Sequence, residues 1–251
     1  RDINNEKRYV REINNINDVN SFIKEESATQ RKSCPTYNNN LDINVENKFD
    51  IAGVNFCEIE SGFATELSKI IEYYYNQFPA IKGYLNNFTI TNGNGDMDEG
   101  VIAYYRPFFD VLGSDDGSRI GGKNSINMMA NYFLDVPTLK AAVENSSKFG
   151  HFPPNATVVS PIAHEFGHYL SFIALAREYK LENVSYIDNS NLELFIQMCN
   201  EYGGTSHSKK LIEEAYNRYI KDTGSKITFD DFRATISKYA MAKDESTGMF
   251  L

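Results

Sequence analysis

Tryptophan is missing from these 251 residues, and cysteine, histidine and proline are scarce at three, four and seven. The cysteines, Cys34, Cys57 and Cys199, are too few and too scattered for a disulfide scaffold, and no CxxC pair suggests a cysteine-only zinc site. Their odd count points to free thiols and a reducing compartment. Basic residues are also in deficit, 25 Lys and Arg against 34 Asp and Glu, for a net charge of −9 and a pI near 5.0. A general nucleic-acid binder would show the opposite balance. No apolar stretch approaches the roughly 18 residues a transmembrane helix needs. Arg1 to Lys7 are polar, unlike the core of a signal peptide. These absences describe a chain expected to be soluble, whose compartment and oligomeric state the sequence leaves open.

What is present is ample material for a core, with 41% hydrophobic residues, 16 of the residues being Tyr and 17 Phe. Residues 1–50, rich in Asn and charge, read as an accessory arm that is helical to about Cys34-Pro35, followed by an Asn-rich linker around Asn38–Asn40. Residues 51–251 read as the main domain. Phe63, Leu67, Ile70, Ile71, Tyr74 and Phe78 fall at helical intervals from Ser61, and Pro79 ends that run. Three stretches rich in β-branched and aromatic residues follow, Asn87–Thr91, Val101–Pro107 and Ser125–Leu134, and read as strands. From Ser160, a candidate cap followed by Pro161, the pattern turns helical. Further helices are expected at Leu192–Tyr202, Ser208–Lys221 and Thr228–Ala242, the last opened by Thr228 and Asp231 at capping-box spacing. Strands first and helices after define an α+β class.

Half of the chain's histidines fall within five residues, His164-Glu165-Phe166-Gly167-His168, which match the HExxH pattern of zinc peptidases. Random placement would give roughly 0.005 such matches in a chain of this composition. Four residues are about one helical turn, so His164 and His168 can aim their imidazoles at one Zn²⁺ ion. Glu165 lies about 100° round the helix from His164, free to act as a general base on water beside the ion. Ile162, Phe166, Leu170 and Ile173 would anchor the other faces. His151 and His207 read as structural or surface residues.

His164 to Leu170, together with the later Ile236-Ser237-Lys238-Tyr239-Ala240, resemble the catalytic domain of anthrax lethal factor and related zincins of bacterial toxins and mobile elements. The resemblance covers Ser125 to the C-terminus and implies a zincin-like fold, a small mixed sheet packed on the HExxH helix with further helices after it. It implies a zinc-dependent endopeptidase with a peptide or protein substrate, in which His164 and His168 are ligands and Glu165 is the base. Tyr239 matches the family tyrosine that donates to the developing oxyanion. By the same resemblance the strand before the active helix binds substrate, which points to Ser125–Leu134. The family's third ligand is a glutamate on a helix after that tyrosine. Here it is either Glu245 or a residue beyond Leu251, with truncation of the chain expected, and with Glu201 or His207 next in line.

Weaker signals carry less. Gly117 to Lys123 follow the spacing of a phosphate-binding loop, but Asn124 stands where Ser or Thr is needed and a strand follows where a helix should. A hairpin loop is the better reading. Asp96, Asp98 and Glu99 lack the spacing of an EF-hand and read as a solvated turn. Against the peptidase stands an alternative, a catalytically inactive zincin-fold accessory or binding protein of a phage or mobile element.

Overall fold

The computed structural model describes residues 16–91, 100–107, 110–114, 117–121, 124–182 and 184–236. Tyr239 and Glu245 lie outside them, as do Asp96, Asp98 and Glu99.

The Asn-rich opening folds into two helices, α1 (Ile16–Gln30) and α2 (Thr36–Phe49). The stretch expected as a linker is therefore helical. Asparagine is a poor helix former by several tenths of a kcal/mol, but tertiary contacts outweigh that preference. Asn38 is fully buried, and its amide donates to the carbonyls of Phe56 at 2.8 Å and Ile59 at 2.6 Å. Val45 and Phe49, on the same helix, enter the main core.

The short strand β1 (Gly53–Asn55) leads into α3 (Ser61–Gln77), which buries Phe63, Leu67 and Ile71 as their spacing requires. Next come β2 (Asn87–Thr91), β3 (Ala103–Pro107), β4 (Asp110–Ser114), β5 (Gly117–Gly121) and β6 (Asn124–Met129). The chain then turns helical, through α4 (Ala130–Phe133) and α5 (Val136–Phe149), to α6 (Ser160–Glu178). The last described elements are β7 (Tyr186–Ile187), α7 (Leu192–Gly203), α8 (Thr205–Thr223) and α9 (Phe229–Ile236). With nine helices and a small mixed sheet among the described residues, the class is α+β. No helix among them is long and apolar enough to cross a membrane.

The four-stranded sheet runs β1-β2-β6-β3, with β1, β2 and β6 parallel and β3 antiparallel to β6. A smaller antiparallel sheet runs β4-β5-β7, so the glycine-rich stretch at 117–121 is one arm of a hairpin. Two expectations change here. The strand expected to end at Leu134 stops at Met129, and it pairs on both sides, Phe88 with Ile126 and Ile126 with Tyr105. With both backbone edges used, β6 cannot accept another strand, and the edge position falls to β3.

The cysteines bring a further correction. Cys34 and Cys57 form a disulfide with a Cα–Cα distance of 4.9 Å, leaving Cys199 as the free thiol. A separation of 23 residues hid this proximity, because the turn after α1 folds back onto the segment following β1. Two of the three thiols expected to be free are therefore paired.

The helix α6 lies on β3 and β6 and is the centre of the core, with Ile162, Phe166, Tyr169 and Ile173 buried along one side. Phe166 stacks on Tyr74 with ring centroids 4.4 Å apart and planes within 7°. The Tyr169 hydroxyl, buried with its ring, donates to Ile81 O at 2.8 Å. Pro161 stands in the first turn as expected, but Ser160 is inside the helix rather than capping it. Its hydroxyl oxygen accepts from the Thr157 amide at 2.9 Å. At α9, Thr228 does act as a cap, since its hydroxyl oxygen accepts from Asp231 N at 3.1 Å.

Candidate metal centre

Helical spacing puts His164 and His168 one above the other on the exposed side of α6. Their Nε2 atoms are 3.0 Å apart, and the rings stand nearly perpendicular at 86°. Two nitrogens held about 2.05 Å from one tetrahedral ion would be about 3.3 Å apart, so the pair fits a shared ion with little adjustment. Although both rings reach solvent, desolvation by the protein packed around them pushes the His164 pKa down to about 4, with the neighbouring His168 adding to the shift, and lowers His168 as well. Both rings are thus neutral near pH 7, the form that binds metal. Phe152 stands edge-on to His164 at 6.0 Å and closes one flank with an apolar group.

Glu165, about 100° round the helix from His164, lies on the adjoining buried face. It is buried, and Oε2 accepts a 2.6 Å hydrogen bond from the backbone N–H of Tyr105 on β3. Burial pushes its carboxyl up to about 7, against the favourable bond from that amide. The carboxylate therefore joins the helix of the histidines to the edge strand. Tyr105 itself is held from the far end, its hydroxyl donating to Asn124 Oδ1 at 2.6 Å.

Tyr202 on α7 was not singled out by its sequence. Its hydroxyl donates to the His168 carbonyl at 3.3 Å, and burial, followed by the charge of Glu165, pushes its phenol up to about 12. It is thus a neutral phenol beside the histidine helix. The only hint lay in the helical periodicity of residues 192–202, which says nothing of what a tyrosine there would touch.

Among the described residues, no third histidine, cysteine, aspartate or glutamate joins the pair. The two reserve ligands are engaged elsewhere. Glu201 accepts from the Tyr179 hydroxyl at 2.7 Å, and His207 Nε2 lies 2.8 Å from Ser171 Oγ. The structure therefore brings together His164 and His168, turns Glu165 toward β3 on the adjoining face, and engages Glu201 and His207 elsewhere. No known protein family, curated protein or solved structure matches this chain.

Proposed function

We propose that this chain is a zincin-like, zinc-dependent endopeptidase. The observation that carries the reading is the convergence of His164 and His168 Nε2 atoms at 3.0 Å, with Glu165 one residue away and anchored to a sheet edge. His164 and His168 would hold the ion, together with a ligand outside the described residues, for which Glu245 is the candidate within this sequence. Bound zinc supplies Lewis acidity toward a peptide carbonyl and makes water a better acid. Glu165 takes the proton from the attacking water and returns it to the leaving amine. Tyr239 keeps the role that the family resemblance gives it, as donor to the developing oxyanion.

The substrate strand is reassigned from β6 to β3. An extended peptide laid along the outer edge of β3 would take over the Tyr105 amide from Glu165 and so free that carboxylate to act on water. The net charge of −9 favours a neutral or basic peptide.

The test combines metal titration with cleavage of a peptide mixture read by mass spectrometry. Glu165→Gln should keep zinc affinity and lose at least about 100-fold in cleavage rate, the scale of one general acid–base group. His164→Ala and His168→Ala should each lose the metal to a chelator. Near wild-type cleavage by Glu165→Gln, or stoichiometric zinc in both histidine variants, would overturn the assignment.

A further inference from the structure

A second cluster, on α2 and remote in sequence from α6, contains a charge that its surroundings do not balance. Asp42 and Asn38 sit one helical turn apart, and both are fully buried. They grip one residue between them. Asp42 Oδ1 accepts from Phe56 N at 3.0 Å, and Asn38 Nδ2 donates to Phe56 O at 2.8 Å. Each side chain then has one oxygen left, Asp42 Oδ2 and Asn38 Oδ1, and neither has a hydrogen-bond partner. Two orphaned acceptors a turn apart, in a site without solvent, carry a cost of several kcal/mol if the carboxyl is ionised.

We propose that Asp42 is a protonated carboxylic acid whose O–H donates to Asn38 Oδ1, a proton-dependent latch that fastens α2 to residues 56–59. One proton satisfies both orphans at once and removes the buried charge. The step is a simple acid dissociation, in which the proton leaves to water and the carboxylate remains facing an amide oxygen. The released segment is placed to matter, because it carries Cys57 and continues along one wall of an open cleft of about 580 Å³ that also involves Pro35, Glu60 and Leu134.

The charges around the latch agree with this state. Burial pushes Asp42 up to about 7, with the Phe56 amide and then Arg31 opposing the shift and Glu46 adding to it. Arg31 is already bonded to Glu46, which also accepts from Val54 N at 2.9 Å, so this cation is shared. The charges of α3 face outward, Glu66 to Lys69 and Glu72 to Lys48 in exposed pairs. β1 carries none, and Glu58 and Glu60 beyond it are exposed. An aspartate whose folded-state value is raised binds its proton more tightly folded than unfolded. The latch therefore contributes fully below the ordinary aspartate range, and its contribution is lost as pH rises from there through about 7.

The experiment is a carboxyl-carbon NMR titration of the intact, oxidised protein, with Asp42→Asn measured alongside. The wild-type Asp42 carboxyl should titrate near neutrality, and exchange protection of the Phe56 amide should fall as it ionises. Asp42→Asn, whose amide is a permanent donor to Asn38, should exceed wild-type thermal stability by a margin that grows from about pH 5 to about pH 8. A wild-type midpoint in the ordinary aspartate range would overturn the latch and indicate a buried water between the two oxygens. So would an Asp42→Asn variant that is equally destabilised at both pH values. The wild-type titration decides the matter even if the variant does not fold.

Discussion

Reducing the Cys34–Cys57 bridge, or replacing both cysteines with alanine, should loosen the N-terminal quarter of the molecule by a calculable amount. The bridge spans 23 residues and encloses α2 and β1 in one covalent ring. Loop-closure entropy for a ring of that size corresponds to about 3 kcal/mol at 25 °C. Little apolar packing compensates on the α1 side, where Val19 and Ile23 form only a small cluster with Ala52, separate from the main core. The remaining ties are polar, among them Asn86 to Asn20 at 2.8 Å and Asn55 to Gln30 at 2.8 Å. Urea denaturation of the double variant should show a free energy of unfolding lower by about 3 kcal/mol, with a steeper denaturant dependence because its unfolded chain is more expanded. A loss below about 1 kcal/mol would refute the reasoning and mean that the ring is already held closed by other contacts in the denatured state.

Gly53→Ala should destabilise by about 1–3 kcal/mol through overpacking, since a Cβ there would lie 2.2 Å from Ser27 Oγ and 2.7 Å from Ile23 Cγ2. Thermal denaturation checks it, and a neutral result would show that α1 slides freely on β1. Phe166→Ala should cost about 3–5 kcal/mol, because the ring is fully buried and stacked on Tyr74. Thermal denaturation reads the loss, and a cost below about 1 kcal/mol would show that the ring's space is refilled by its neighbours.

Local chemistry made much of this fold legible in advance. The strand at Asn87–Thr91 and the helices from Ser61, Ser160 and Leu192 stand close to where apolar spacing and turn residues put them. What escaped depended on distant partners or on weak local signals. α2 is rich in asparagine and is stabilised by what Asn38 and Asp42 reach across the chain. β1 is three residues long, too short for a periodicity. α5 does carry local signals, with Asp135 capping through Thr138 N at 2.8 Å, Pro137 in the first turn and Gly150 at φ 85° past the end. At the candidate site, spacing alone sufficed to expect the convergence of His164 and His168. That Glu165 would bond to Tyr105, 60 residues earlier, depends on which strand lies at the sheet edge, and strand order is a non-local property.

The bond between Glu165 and the Tyr105 amide also bears on self-association. A sheet that ends in an open strand offers its unpaired amides to the edge of another molecule. Backbone alternation turns the N–H groups of residues 103, 105 and 107 outward on β3, since Tyr105 faces Glu165 while Arg106 O lies toward β6. Proline at 107 has no N–H, and the amide of Tyr105 is already taken by a carboxylate, so only Ala103 keeps an outward donor. A passing strand therefore finds one donor where a bare edge would present three. Glu165 thus shields the same edge beside which it would act, and removing its carboxylate should open that edge to pairing between molecules.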